Sequence, residues 1–297
     1  MTAAVMTGSL LHNEPLARYT SWRAGGAADR LYIPASLDDL QQFLAGLPER
    51  EPLHFIGLGS NLLVRDGGVR GTVILMHGAL TALQTDKEFI YAEAGVTCAK
   101  LARFAARQHQ HGAEFMAGIP GTVGGALAMN AGCHGGETWE IVERVLTVDR
   151  QGRVHERNHQ AFATAYRHVE MPVADEWFVA AWFRLAAGDA SEAEAKIKQL
   201  LARRLATQPL NLPNAGSVFR NPPGDHAARL IETSGLKGFS IGGAQVSEKH
   251  ANFIVNQGGA TAADIEQLIL HVQAVVKEKQ GVALQAEVRI IGEHGHE

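Results

Sequence analysis

The stretch AGIPGTVGGALAMNAGCHGG, Ala117 to Gly136, constrains this chain more than any other, because it carries seven glycines and no Asp, Glu, Lys or Arg. Glycine costs about 1 kcal/mol against alanine inside a helix, so the expectation here is an irregular segment and not a helix. Ile119, Val123, Leu127 and Met129 argue equally against a solvated linker. By length the uncharged run from Phe115 to Gly136 matches a membrane span, but its glycines, proline and asparagine speak against one. What remains is an uncharged segment whose backbone something approaches closely.

A chain of 297 residues has room for two or three domains around a sizeable core. A net charge of −4 and a pI near 6.4, with acids and bases interspersed, argue against nucleic acid and anionic membranes as main partners. Only Cys98 and Cys133 are present, without metal-ligand spacing, which points to a reducing, cytoplasmic compartment. The N-terminal MTAAVMTGSLLHNEP lacks the early basic residues and apolar core of a signal peptide.

Local signals alternate between strand and helix along the whole chain. LYIP (31–34) reads as a strand, followed by a helix with Ser36 as cap, Asp39 three residues on, and Leu37, Leu40, Phe43, Leu44 and Leu47 on one face. LHFIGLGSNLLV reads as strand, glycine turn, strand, with VILM (73–76) after it. FIYAEAG (89–95) precedes a helix from Thr97 to about His109. ERVLTVDRQGRVHER is a hairpin turning at Gln151-Gly152, and WFVAAWFRLA (177–186) is a further strand. A helix from Ser191, boxed by Glu194, carries Ile197, Leu200, Leu201 and Leu205 on one stripe and stops before Gln208-Pro209. HAARLIETSG is a short helix closed by Gly235, ANFIVN (251–256) a strand, Thr261 to about Lys279 a helix boxed by Asp264, and VALQAEVRIIG a final strand. These signals describe an α+β or α/β protein of three lobes, 1–79, 80–207 and 208–297, with the last strand (about 282–291) as a candidate to return to the earlier lobes.

A second glycine turn, Gly57-Leu58-Gly59-Ser60-Asn61, follows a strand directly. Successive backbone N–H groups in such turns form anion-binding concavities, to which Ser60, Asn61 and Thr122 add neutral donors. The dinucleotide fingerprint is absent, since Leu62 stands where a third glycine belongs, and no Walker-type GK[ST] occurs. Each segment alone is compatible with a tight turn; together they point to a phosphate-bearing cofactor.

GLGSNLLVRDGG (57–68) with AGIPGTVGGALAMNAGCHGG resembles the flavin-binding segments of the UDP-N-acetylenolpyruvoylglucosamine reductase family, whose fold is shared with vanillyl-alcohol-type oxidases. The resemblance runs from Tyr19 to Glu293 and extends to AYR (165–167), NAGSVFRNPPG (214–224), KHANFIVN (249–256) and EVRIIGE (287–293). It implies an α+β fold in which two small α/β lobes, 1–79 and 80–207, clasp non-covalent FAD while 208–297 binds substrate. It implies FAD contacts at Gly57, Gly59, Ser60, Asn61, Leu62, Gly118, Ile119, Pro120, Gly121, Thr122, Gly124, Gly125 and Asn130.

The implied reaction is NADPH-dependent reduction of the enolpyruvyl group of UDP-N-acetylglucosamine enolpyruvate to UDP-N-acetylmuramate, a peptidoglycan precursor. Adding hydride to a carbon–carbon double bond beside a carboxylate drives charge onto that carboxylate, and a guanidinium stabilises it with parallel charge-assisted bonds. The resemblance gives that role to Arg167, proton donation to Ser217, and completion of the site to Glu287. Taken alone, these residues read as a surface arginine, a turn serine and a solvated strand-face carboxylate. Asn221 stands at the family's substrate-contacting asparagine; Arg204 and Lys237 are further candidates for the UDP phosphates. Where the family commonly has serine two residues after the arginine, this chain has Val169, and the short spacing from Arg167 to Ser217 matches the branch lacking an extra substrate-clamping loop.

Two other readings compete. An oxidase of the same flavin fold, acting on an alcohol or sugar lactone, would lack the NAGSVFRNP loop. A non-catalytic flavin or nucleotide-sugar module would survive loss of Ser217. The fourteen histidines include no HExxH or carboxylate-backed pair, His294 and His296 read as tail, and Cys133 as packing, so no metal is expected. A monomer acting on a small molecule, with no membrane partner, completes the expectation.

Overall fold

The computed structural model describes residues 7–295; the first six residues of the N-terminal stretch and His296 lie outside it. The fold is α+β. The chain divides into two compact units, one built from the described part of Met1–Leu11 with Leu31–Leu58 and Thr72–Arg204, the other from His12–Arg30, Gly59–Gly71 and Leu205–Glu297 as far as it is described.

The first unit centres on a five-stranded antiparallel sheet in the order Val154–Asn158, Val142–Asp149, Glu176–Arg184, Phe89–Glu93, Leu83–Asp86. Side chains alternate across a strand with period two, so one extra residue flips the faces that follow. Such a bulge occurs where Leu146 opposes Ala180 and Thr147 opposes Phe178. Ala181, Phe183 and Phe178 therefore share one core, while Val179 joins the other.

One face of the sheet carries helix α1 (Leu37–Ala45), whose Leu40, Phe43 and Leu44 pack with Ile74, Val148 and Val179. Ser36 caps α1 as its spacing predicts, accepting the Asp39 N–H at 3.1 Å. The Asp39 carboxylate does not complete the box. It accepts from the Tyr32 hydroxyl at 2.6 Å and from the backbone of Thr7, Gly8 and Ala35.

The opposite face carries α2 (Cys98–Arg107), α3 (Val123–Met129) and α4 (Ala190–Thr207). Helix α3 corrects the expectation that the glycine segment is irregular throughout. Its first N–H groups are satisfied by the neighbouring chain, Val123 on the Val96 carbonyl at 2.8 Å and Gly124 on the Ala94 carbonyl at 2.9 Å. Burial of Val123, Ala126 and Leu127 in the main core then outweighs the glycine propensity cost.

Helix α4 starts one residue early because Asp189, not Ser191, accepts the Ser191 and Glu192 N–H groups. Its buried stripe is Ala193 and Ile197 with Leu201 against the core, and Leu205 is 63% exposed.

In the second unit, α5 (Ala227–Thr233) and α6 (Ala262–Gln280) enclose a core with Trp22, Leu63, Val218, Val246 and Ile254. The Thr261–Asp264 capping box forms in both directions at 3.0 Å. Asp66 adds a second cap, accepting the Ala262 and Ala263 N–H groups at 3.0 and 2.8 Å, and Arg65 pairs with Glu266 at 2.7 Å. Gly235 (φ +76) and Gly281 (φ +71) end their helices in the left-handed region that glycine tolerates.

The expected final strand is shorter than VALQAEVRIIG. Only Arg289–Ile291 forms a ladder, parallel to Leu62–Val64. Upstream, Ala286 bridges Phe219 in the antiparallel sense. The segment changes partner midway, so no continuous ladder exists and Glu287 does not lie on an alternating strand face.

Candidate active site

In the first unit Gly57, at the start of one glycine segment, meets Thr122 of the other. A β-carbon at Gly57 would overlap Thr122 Oγ1, and Thr122 is the N-cap of α3, accepting from Gly125 N–H at 3.4 Å. At Gly118 it would stand 2.7 Å from Cys133 Sγ, and at Gly124 2.9 Å from the Ala94 β-carbon. At these three positions the close neighbour that requires glycine is the protein itself. Gly125 is different, since its β-carbon would come no nearer than 3.7 Å to any such atom. The Ile119 side chain belongs to the main core, Gly121 accepts Cys98 N–H through its carbonyl, and Pro120 is exposed.

Among the described residues, the backbone N–H groups of Gly57, Leu58, Gly59 and Ser60 donate to no protein acceptor. Gly59 sits at φ +61, in the left-handed region. Consecutive open donors with a neutral hydroxyl and no charged side chain suit phosphate oxygens, so this donor set fits the FAD pyrophosphate.

Arg167 stands at the tip of a hairpin pairing Ala163–Ala165 with His168–Glu170, at φ +54. Its guanidinium donates to the Gly132 carbonyl at 2.9 Å and the Asn130 carbonyl at 3.4 Å, and lies 4.8 Å above the Tyr166 ring. The arginine is thus anchored on the end of the glycine segment. Val169 turns into the core. Asn130 is buried at φ +44, and its amide is fully engaged: Oδ1 accepts Trp139 N–H at 3.1 Å, and Nδ2 donates to Glu137 at 2.8 Å and the Ala165 carbonyl at 3.2 Å. Its side chain therefore ties the segment to the hairpin and is not turned outward to a cofactor.

In the second unit Ser217 follows Gly216 (φ +74), on a loop held by Asn214, whose oxygen accepts Gly216 N–H at 3.0 Å. Asn252 clamps the next residues, accepting Phe219 N–H at 3.0 Å and donating to Phe219 O at 2.8 Å. Glu287 N–H donates to Val218 O at 2.7 Å, and Asn61 Nδ2 to Glu287 O at 3.1 Å. Ser217, Glu287 and Asn61 thus come together on adjoining backbone, while Leu62 is buried in its ladder. The Ser217 hydroxyl is half-buried and, among the described residues, meets no protein partner.

The expected substrate contacts fare differently. Asn221 Oδ1 accepts Ala227 N–H at 3.1 Å at the start of α5, and Lys237 pairs with Glu232 at 3.0 Å. Both groups serve the protein locally. Arg204 lies half-buried on α4, in the first unit; burial pulls its guanidinium below the usual arginine range. Burial pushes the Cys133 thiol up, against the pull of Arg204, Arg167 and Arg203, and pushes Cys98 up to about 12. Neither is a poised nucleophile.

The sequence reading assigns Asn252 no role and makes Asn130 a flavin contact, not the tie between the glycine segment and the arginine hairpin. A polar residue inside apolar ANFIVN is the available signal for Asn252, since a buried amide needs partners. Asn130 carries no such mark: it ends α3 in the left-handed region, and its side-chain partners Glu137 and Ala165 lie seven and 35 residues further on.

Among the described residues no three His, Cys, Asp or Glu side chains could hold a metal ion, and no helix is long and apolar enough to cross a membrane. Residues 208–291 match the family described as UDP-N-acetylenolpyruvoylglucosamine reductase, C-terminal domain, and residues 28–158 match the FAD binding domain family. The UDP-N-acetylenolpyruvoylglucosamine reductase of Alkalilimnicola ehrlichii is 61% identical over 97% of this chain and 97% of its own length. That of Thiobacillus denitrificans is 56% identical over 98% and 95%. The crystal structure of UDP-N-acetylenolpyruvylglucosamine reductase from Thermus caldophilus superposes with a TM-score of 0.81 at 31% identity, covering 96% of this chain and 99% of that one. On these matches over nearly its whole length, this chain belongs to the UDP-N-acetylenolpyruvoylglucosamine reductase family.

Proposed function

We propose that the protein is an FAD-dependent reductase that uses NADPH to convert UDP-N-acetylenolpyruvoylglucosamine to UDP-N-acetylmuramate for peptidoglycan synthesis, and so for cell shape and division. The observation that carries the residue-level reading is the Arg167 guanidinium, anchored on the carbonyls at the end of the glycine segment. Bound FAD supplies the two-electron relay from nicotinamide to alkene. The open N–H groups of Gly57 to Ser60, with Ser60 and Asn61, hold its phosphates.

Arg167 stabilises the negative charge that develops on the substrate carboxylate when the far alkene carbon is reduced. Two of its donor contacts are spent on backbone carbonyls, which set the plane of the group. The Ser217 hydroxyl delivers a proton to the near carbon, and Glu287 completes the proton site; the loop clamp at Asn252 limits how far the hydroxyl can stray. Segments 1–79 and 80–207 serve FAD on this reading, and 208–297 supplies Ser217 and Glu287. The two free thiols favour a reducing, cytoplasmic compartment, where the protein acts as a monomer on this reading.

The test is an anaerobic spectrum of the flavin-loaded protein, titrated with NADPH and then with the enolpyruvyl substrate. Bleaching followed by return with substrate is expected, and Ser217→Ala should bleach normally but return slowly. Return only with oxygen would indicate an oxidase, and no flavin band after incubation with FAD would overturn the reading of both glycine segments.

A further inference from the structure

Arginine side chains have several low-energy rotamers, so a guanidinium that must meet a substrate carboxylate needs its plane fixed by other groups. The residue two places after Arg167 contributes nothing polar, because Val169 packs into the core. The support comes instead from residues 130–137. Asn130 and Gly132 offer their carbonyls, and the Glu137 carboxylate stands 3.9 Å from Arg167 Nη1. That last distance is too long for a hydrogen bond. The same carboxylate accepts the Asn130 amide at 2.8 Å, and Asn130 also holds Ala165, two residues before the arginine. Gly132 and Glu137 face each other in a short antiparallel bridge, where a β-carbon on Gly132 would stand 3.0 Å from Glu137 Cγ and 3.1 Å from Arg167 Nη1. Asn130 is buried and every one of its amide groups is engaged, so its orientation has no alternative once Glu137 is in place.

We propose that Glu137 is a positioning residue for Arg167: by holding the Asn130 amide it fixes the Asn130 and Ala165 backbone that carries and flanks the guanidinium. This rests on the reading of Arg167 as the group that stabilises the substrate carboxylate. Glu137 touches no reacting atom. Its effect is confined to the half-reaction in which Arg167 acts, and it works through a hydrogen bond more than through charge, since its contact to Asn130 is short and its contact to Arg167 is long.

The test is anaerobic stopped-flow on flavin-loaded Glu137→Ala, Glu137→Gln, Arg167→Ala and the Glu137→Ala/Arg167→Ala double variant. Bleaching by NADPH reports folding and flavin binding, and reoxidation by the enolpyruvyl substrate reports the step Arg167 serves. Glu137→Ala should bleach within about twofold of the parent and reoxidise about tenfold to hundredfold more slowly, the scale expected when a reacting group is misplaced by about 1 Å. The substrate concentration for half-maximal rate should stay within about threefold. Glu137→Gln, which retains an acceptor for Asn130, should recover most of the lost rate. In the Arg167→Ala background the Glu137→Ala change should add less than about twofold, because a residue acting only through another has no independent effect. Parent-like reoxidation in Glu137→Ala overturns the inference. So does an equal fall in both half-reactions, failure of Gln to rescue, or a full additional loss in the double variant. Parent-like reoxidation in Arg167→Ala alone would instead overturn the reading of Arg167.

Discussion

Gly57→Ala tests whether the glycine turns are shaped for the protein or for its cofactor. The added β-carbon would overlap Thr122 Oγ1 and lie 3.3 Å from Thr122 Cβ and Cγ2. Thr122 is 1% exposed, so it has little room to swing aside. Turning its hydroxyl away forfeits the cap on Gly125, worth about 1 kcal/mol. Moving the backbone instead overpacks the core at about 1–3 kcal/mol. The substitution should therefore destabilise the apoprotein by about 1–3 kcal/mol in urea, followed by far-ultraviolet circular dichroism. Thr122→Ala alone should cost about 1 kcal/mol. The double variant removes Oγ1 and Cγ2 and leaves only the 3.3 Å contact to Cβ, so it should be more stable than Gly57→Ala by itself. A coupling of about 1–3 kcal/mol is expected between residues in such contact. Simple additivity would refute the steric argument. Unchanged stability with lost FAD quenching would mean that the bound cofactor, and not Thr122, requires glycine at position 57.

Three further outcomes follow from the packing. Asn252→Ala strips both partners from the Phe219 backbone and should cost about 2–4 kcal/mol while slowing flavin reoxidation more than bleaching; equal rates in both steps would refute the clamp. Arg157→Ala leaves the Glu176 carboxylate, 2% exposed, with Thr147 but without its guanidinium, and should lower the unfolding free energy in urea by about 3–5 kcal/mol; a smaller loss would refute the buried pair. Burial pushes the Asp149 carboxyl up, but hydrogen bonds from His155 and from the backbone and side chain of Arg153 outweigh it and hold it down to about 2. Because the folded value lies below the unfolded one, this stabilisation is present above about pH 4 and is lost as pH falls through about 2. Asp149→Asn should flatten the acid limb of stability between those values, and an unchanged limb would refute the assignment.

Helix ends were legible because a cap is a local event. Ser36, Thr97 and Thr261 cap the residue three places on, and Gly235 stops its helix through its own φ. The same reasoning failed where a distant group competed. Asp39 turned to Tyr32 and residues at the chain start, Asp189 displaced Ser191, and the Leu205 position at the end of a sound apolar stripe had nothing to cover it. The candidate site divides in the same way. Gly57 to Asn61 and Ala117 to Gly136 stand out by composition alone, since uncharged glycine runs with apolar residues are rare. The partners of Asn221 and Lys237 were invisible because each depends on where a short helix begins or ends.

By itself, the chain's order of residues determined helix and strand outside the glycine stretch and the final segment, where most helices stop, and that two glycine stretches must be approached closely. Those properties depend on neighbours within a few residues. Only the tertiary structure decided what approaches those glycines, why α3 forms despite them, and that Arg167 hangs from Asn130 and Gly132 across 37 and 35 residues of sequence. It also decided that Asp66 caps a helix 196 residues away. Contacts of that separation exist only once two apolar faces have been buried together, and burial has no direction along the chain.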